Sequence, residues 1–114
     1  MDKHAVVRND FPWGSIDWLI GGELGNSNEL SLARLVVNAG KSGDTHVHAN
    51  CEESIYVIRG EVQCRIGDAI ELLGAGSHAV VPRGCVHSIR NVGATPAELV
   101  LGYSAAMREF ALAQ

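Results

Sequence analysis

Two stretches of the chain decide the fold: residues 40–60, GKSGDTHVHANCEESIYVIRG, and residues 76–91, GSHAVVPRGCVHSIRN. In both, short runs of β-branched and polar residues lie between glycines. His46 and His48 are two residues apart, so their side chains leave the same face of a strand, because successive strand residues point to opposite faces. The stretches therefore predict β-strands, one of which presents two imidazoles on one face.

The strand pattern extends outward over most of the chain. Thirteen glycines separate short segments rich in Val, Ile and Leu, and no helical periodicity persists between Trp13 and Ser104. We expect nine short strands, at residues 15–20, 30–38, 45–48, 54–59, 61–66, 69–73, 78–81, 86–91 and 97–103. Short strands at this close spacing predict an all-β sandwich or barrel.

Apolar residues also lie at both ends, outside the predicted barrel. Residues 105–113 have a helix-forming composition, with Met107 and Phe110 at one-face spacing, and predict a short C-terminal helix. Near the other end are three large aromatic residues: Phe11, Trp13 and Trp18. Rings of this kind either cover a domain or dock on a second subunit. Together with the edge strands of so small a sheet protein, they predict a homodimer.

Length and charge limit the classes of function. At 114 residues we expect a single domain, 1–114, with its barrel core at about 30–103. The formal net charge is −4 and the basic residues are scattered, which indicates no nucleic-acid or lipid-binding surface. No apolar stretch approaches the ~20 residues of a membrane span, and no hydrophobic signal segment is present. We therefore expect a cytoplasmic protein.

The cysteines point to the same compartment. Cys51, Cys64 and Cys85 are odd in number and lack CxxC spacing, so the sequence predicts free thiols and no disulfide framework. Cys51 and Cys85 lie close in sequence to the histidine-bearing stretches, and their role stays open.

The histidines and acids between Gly40 and Asn91 indicate a metal site. Two imidazoles share a strand face, an acid opens the next strand, and another histidine follows about forty residues after the first. These groups converge only if the sheet closes or folds over, as it does in a barrel. Neutral imidazole with carboxylate is a ligand set that suits Zn, Fe, Mn, Ni or Cu, and the lack of thiolate spacing disfavours a closed structural zinc site.

In these two stretches the sequence resembles the cupin family. Residues 40–60 read G-x5-H-x-H-x4-E-x6-G, and residues 76–91 read G-x5-P-x-G-x2-H-x3-N, which are that family's two motifs. The resemblance implies a double-stranded β-helix, the jelly-roll barrel of the cupins, with one divalent transition-metal ion (Mn, Fe, Ni, Zn or Cu). The metal ligands that it implies are His46, His48, Glu53 and His87.

Simpler roles are expected for the other polar residues near the motifs. Glu52 adjoins Glu53, but only Glu53 has the motif spacing to Gly60 and the strand parity of the inward residues Ile55 and Val57. The motif glycines, Pro82 and Asn91 are expected to be structural. Glu52, Tyr56 and Arg90 are predicted to face outward. His4 and His78 are predicted to lie at the surface or behind the metal ligands, and for His78 a position in the lining of the pocket is the alternative.

The ligand set itself bears on function. Three histidines and one carboxylate leave one or two coordination positions open, which is typical of a catalytic site. We expect a metal-dependent enzyme: an oxygenase with a redox-active ion, or an isomerase, lyase or decarboxylase with a Lewis acid. A non-catalytic protein that binds or senses a small metabolite is the alternative, because the fold alone does not decide. The net charge of about +1 on such a centre favours a small oxygen-rich organic anion as its ligand.

Overall fold

A computed structural model of the protein describes residues 4–113, which form two antiparallel sheets and contain no helix. Its strands in chain order are β1 Val7–Phe11, β2 Gly14–Ile20, β3 Ser31–Val37, β4 His46–Val47, β5 Glu53–Arg59, β6 Glu61–Ile66, β7 Ala69–Gly74, β8 His78–Val81, β9 His87–Asn91, β10 Ala97–Tyr103 and β11 Ala111–Leu112. One sheet has the order β1-β2-β3-β10-β5-β8 and the other β11-β4-β9-β6-β7. This confirms the all-β double-stranded β-helix. Nothing in the part of the chain described is a helix long and apolar enough to cross a membrane.

The core lies between the facing sides of the two sheets. In β3 and β10 every second residue is buried, which is the two-residue period of a strand with one face inward. Val62 and Cys64 of β6 point inward from the opposite sheet and are almost fully buried. Removing this apolar surface from water is the main contribution that stabilises the barrel.

Each of the nine predicted strands is present, with its ends shifted by no more than one residue. Two further strands, β1 and β11, escaped prediction. All five residues of β1 are exposed, so no alternation of apolar and polar residues marks it in the sequence. It is held by antiparallel pairing with β2 and by the guanidinium of Arg8, which donates to both carboxylate oxygens of Asp17 at 2.6 and 2.8 Å.

The helix predicted at 105–113 is wrong. These residues, which we call the C-terminal strap, end in β11, where Ala111 pairs with Val47 and Leu112 with His46. Asn50 anchors the middle of the strap, since its Nδ2 donates to the Met107 carbonyl (2.9 Å) and its Oδ1 accepts from the Glu109 N–H (2.8 Å). So short a segment is marginal as an isolated helix, and tertiary hydrogen bonds outweigh its propensity.

Two motif positions have the structural roles predicted for them. Gly60 joins β5 to β6 with φ at +91°, and a Cβ there would lie 2.8 Å from Ala97 Cα, so only glycine fits. Asn91 is fully buried and bonds main-chain groups only. Its Nδ2 donates to the carbonyls of Val37 and Thr95, and its Oδ1 accepts from Gly93 N–H. Both residues hold the barrel wall together.

Candidate metal centre

Three neighbouring segments bring the four predicted ligands to one point inside the barrel. His46 lies on β4 with His48 just after it, Glu53 opens β5, and His87 opens β9 opposite His46. One ligand atom from each side chain lies within 4.8 Å of the others. His48, Glu53 and His87 are at most 2% exposed, and His46 is half-buried. The side chains therefore form a cluster that is able to hold a metal ion.

Main-chain carbonyls orient all three imidazoles. The contacts run from a ring Nδ1 to a carbonyl oxygen: His46 to Asp44 at 2.7 Å, His48 to Glu109 at 2.8 Å and His87 to Cys85 at 3.0 Å. Because a carbonyl oxygen can only accept, each Nδ1 carries the hydrogen and donates it. Nε2 is thus the nitrogen left to bind a metal ion in each ring. The hydrogen bond from Nδ1 holds the ring in position, as it does in metal-binding histidines.

A buried atom without a partner tests whether the cluster fits a cation. Glu53 Oε1 lies 3.1 Å from Nε2 of both His48 and His87. His87 Nε2 can donate to this oxygen only when its ring is an imidazolium, and a bound metal ion would replace that proton. His48 Nε2 has no hydrogen-bond partner among the described residues. Leaving such a nitrogen buried and unpaired costs about 1–3 kcal/mol. A metal ion bound by both the nitrogen and the carboxylate would remove that cost, so the residues fit the ion.

The ionisation of these groups agrees with the fit. Burial by itself raises the pKa of Glu53, but the close contacts and charge of His48 and His87 outweigh it and lower that pKa to about 2. The carboxylate is therefore ionised at neutral pH. Burial lowers the pKa of His46 to about 4, which keeps its imidazole neutral. Burial also lowers the pKa of His87, but the hydrogen bond and charge of Glu53 outweigh it, and the net shift is upward.

A cavity of about 360 Å³ adjoins the cluster. Polar or charged side chains contribute to its lining: His46, Glu53, Tyr103, Arg108 and Asp44. The rest of the lining is mainly apolar: Phe11, Trp13, Ile16, Leu35, Val37, Ile89, Leu101, Phe110 and Leu112. A small molecule in this cavity would contact both the candidate ligands and a large apolar wall.

The C-terminal strap also lines this site, a position that the sequence did not predict for it. The Glu109 carbonyl orients His48, and the Phe110 ring stacks on His46 with centroids 4.8 Å apart and an interplanar angle of 24°. Arg108 and Phe110 also line the cavity. The sequence offered only a weak signal, an arginine and an aromatic residue in a segment whose spacing also suited a helix.

The N-terminal aromatic residues also line the cavities. Phe11 stacks on Trp13 with centroids 4.8 Å apart, and both rings line the cavity of about 360 Å³ beside the cluster. Trp18 packs against the core and lines a second cavity of about 270 Å³. Trp13 and Trp18 thus pack against the core of the domain, whereas Phe11 is exposed.

Residues expected to lie outside the site do so. Glu52, His4, His78 and Arg90 are exposed, and Tyr56 is 48% exposed on the outer face of β5. The three cysteines are free, with Cys51 and Cys64 buried and Cys85 half-buried. Burial, as the largest effect, raises the pKa of the Cys51 thiol, so this residue is a protonated core thiol at neutral pH.

Comparison with known sequences gives matches over most of the chain. The Cupin domain family matches residues 33–103. A mannose-1-phosphate guanylyltransferase of Sinorhizobium fredii is 27% identical over 89 residues, which cover 78% of this chain and 16% of that protein. Germin-like protein 3-8 of Oryza sativa is 29% identical over 87 residues, covering 72% of this chain and 39% of its own. The chain thus spans less than half the length of these relatives.

Solved structures share the fold. The formate complex of Lactobacillus farciminis oxalate decarboxylase has a TM-score of 0.86 at 18% identity, covering 94% of this chain and 33% of that one. An oxalate oxidase in complex with glycolate has a TM-score of 0.83 at 24% identity, covering 90% and 57%. A double-stranded β-helix protein from Klebsiella pneumoniae has a TM-score of 0.81 at 25% identity, covering 95% and 90%.

Proposed function

Because this chain belongs to the cupin family, we propose that it is a metal-dependent enzyme of the oxygenase, isomerase or lyase type. In this proposal one divalent transition-metal ion is bound by His46, His48, Glu53 and His87, and the substrate is a small oxygen-rich organic anion held at that ion. The observation that carries the proposal is the convergence of the four ligand atoms within 4.8 Å of one another inside the barrel.

The residues present determine what such a centre would accept. The three histidines would bind through Nε2, since each Nδ1 donates to a carbonyl, and Glu53 through its carboxylate. A divalent ion there supplies a Lewis acid, and a redox-active one also supplies electron transfer. Three neutral imidazoles and one carboxylate leave a net charge of about +1 and one or two open positions. An anionic oxygen chelator satisfies both the charge and the open positions.

The structural neighbours support this class of ligand. The oxalate decarboxylase structure contains formate and the oxalate oxidase structure contains glycolate, and both ligands are small carboxylate anions. The oxalate decarboxylase of Bacillus subtilis has Mn(II) centres, with a TM-score of 0.82 at 18% identity over 90% of this chain and 29% of that one. Manganese is therefore the first ion to test.

Tyr103 contributes a phenol group to the lining of the cavity. Its ring lies 5.2 Å from that of His48, and the residue is 5% exposed. Burial first, and then the charge of Glu53, raise the pKa of the Tyr103 phenol well above its usual value. The phenol therefore keeps its proton at neutral pH, and we propose that it donates a hydrogen bond to an oxygen of the bound anion.

The test of this function begins with the metal content of protein purified without added metal. We expect close to one transition-metal ion per chain, and turnover of one or more 2-hydroxy or 2-oxo acids that stops when a chelator removes the ion. Oxygen uptake and product release distinguish an oxygenase from an isomerase or lyase. Stoichiometric metal and anion binding without turnover would favour the non-catalytic binding protein. Substoichiometric metal after reconstitution would refute the metal centre itself.

We also propose that the protein is a homodimer. The edge strand β1 is exposed along its whole length, and apolar side chains project from the outer face of the larger sheet: Tyr56, Ile58 and Val80. A second copy of the chain would cover both features around a two-fold axis. Sedimentation at micromolar concentration should show twice the chain mass of 12.1 kDa. A single species at the chain mass would reject the dimer.

A further inference from the structure

Arg108 of the C-terminal strap lies among three aromatic rings. Its guanidinium carbon is 4.9 Å from the centre of the Trp18 ring, 5.4 Å from that of Tyr103 and 5.0 Å from that of Phe110. Such contacts stabilise a cation through the faces of the rings. A ring face replaces only part of the hydration that a guanidinium loses on burial.

Two of the Arg108 donors are buried without a partner. Nε and Nη1 have almost no solvent exposure and find no acceptor among residues 4–113. Unpaired buried donors on a charged group destabilise a folded protein, and a ligand that accepts hydrogen bonds from them would remove that cost. A guanidinium presents its donors in a planar fork that matches the two oxygens of a carboxylate.

The position of Arg108 connects it to the candidate metal centre. Arg108 lines the same cavity as His46 and Glu53. An acid that coordinates an ion at that cluster therefore occupies the space that the arginine borders. Its oxygens are the acceptors that the unpaired donors of Arg108 lack.

The apolar wall of the cavity indicates more closely which class of ligand binds there. Side chains such as Trp13, Leu35 and Phe110 face a volume of about 360 Å³. Oxalate and glycolate would fill a small part of that volume and have almost no apolar surface to place against the wall. A ligand with an apolar substituent would gain the free energy of burying that group, which grows with the apolar area removed from water.

From these observations we propose that the site takes a chelating acid with an apolar substituent, and that Arg108 binds an oxygen of its charged head. The substituent packs against the apolar wall, while the head lies at the metal. This inference rests on the function proposed above and specifies its substrate class. Arg108 is then a residue that determines specificity, supplied by the strap and not by the barrel wall.

The ligand test compares glycolate with mandelate, which is glycolate with a phenyl group, by calorimetry on the manganese-loaded protein. We expect mandelate to bind at least about 30-fold more tightly, because the buried ring adds roughly 100 Å² of apolar contact. Equal affinities would overturn the apolar part of the proposal and leave the proposed function intact. Failure of both acids to bind the fully loaded protein would instead refute the proposed function.

The residue test replaces Arg108 by methionine, which keeps the apolar stem, and by lysine, which keeps the charge without the planar fork. Arg90→Met is the matched control, because Arg90 is exposed on β9 and its loss changes the net charge equally. We expect Arg108→Met to weaken mandelate binding about 10- to 100-fold, Arg108→Lys to weaken it less, and Arg90→Met to leave it within about twofold.

Two further measurements distinguish ligand binding from a structural role of Arg108. Benzyl alcohol, a neutral compound with the same ring, should bind the wild type and Arg108→Met equally. The melting temperature of the metal-loaded, ligand-free protein should be unchanged or higher in Arg108→Met, because the variant removes two buried unpaired donors. A lower melting temperature with unchanged mandelate affinity would show that Arg108 only holds the strap, and would overturn the proposal.

Discussion

The barrel wall and the C-terminal strap border the same cavity, but they are held in place by different interactions. His46, Glu53 and His87 lie on strands paired within the sheets, and Glu53 belongs to a strand with a partner on each side. The strap is attached by two residue pairs with β4 and by the hydrogen bonds of Asn50. Its main chain also makes single hydrogen bonds with His48, Ser31, Gly22 and Thr45. Segments with fewer such interactions open at a lower free energy. We therefore expect the wall to determine metal binding and the strap to determine which ligand is accepted and retained.

Removing a ligand from the wall should have the largest effect. We expect His87→Ala to lower metal affinity by more than ~100-fold, since loss of a ligand exceeds the ~10–100-fold effect of losing its orienting partner. The barrel should stay folded, because its stability comes from the apolar core. Metal content and thermal melting should be measured together. His78→Ala, which removes an exposed imidazole on β8, should retain its metal. Full occupancy in His87→Ala would contradict its role as a ligand.

Acidification should also weaken metal binding by the ligands of the barrel wall, but gradually. A histidine binds metal only when Nε2 is deprotonated, and the pKa of His87 is raised above 6.5. As pH falls through that raised value, metal affinity should drop by about tenfold per pH unit. His46, with a pKa of about 4, and Glu53, with a pKa of about 2, add nothing until far lower pH. Competition with a chelator of known protonation measures this, and constant affinity between about pH 8 and pH 5 would contradict it.

Releasing the strap should have the smallest effect on the metal. Asn50→Ala removes two hydrogen bonds to the strap, so we expect the free energy of unfolding to fall by about 1–2 kcal/mol. Amide exchange should accelerate in residues 105–113, while metal affinity falls by less than about tenfold.

The matched control for this release is Ser27→Ala. It also removes a side chain that bonds two main-chain N–H groups, those of Glu29 and Leu30, but outside the strap. It should leave strap exchange unchanged. If Asn50→Ala lowered metal affinity as much as His87→Ala, the proposed division between wall and strap would be wrong.

Much of the fold was predictable because its signals are local. Alternation along β3, β5 and β10 marks the inward face directly, and the same parity placed Glu53 inward and Glu52 outside. β1 could not be found this way, because all its residues are exposed and its position depends on pairing with β2.

The sequence by itself predicted the barrel, since strand period is a property of adjacent residues, and its resemblance to the cupin family implied the four candidate ligand positions. Only the tertiary structure decided the path of the strap, and with it the presence of Arg108 and Phe110 at the cavity. The hydrogen bonds that set this path join Asn50 to residues 57 and 59 positions later. Pairing across such a distance outweighs the local preference of 105–113 for a helix, because it satisfies main-chain groups that an isolated short helix would leave unpaired at its ends.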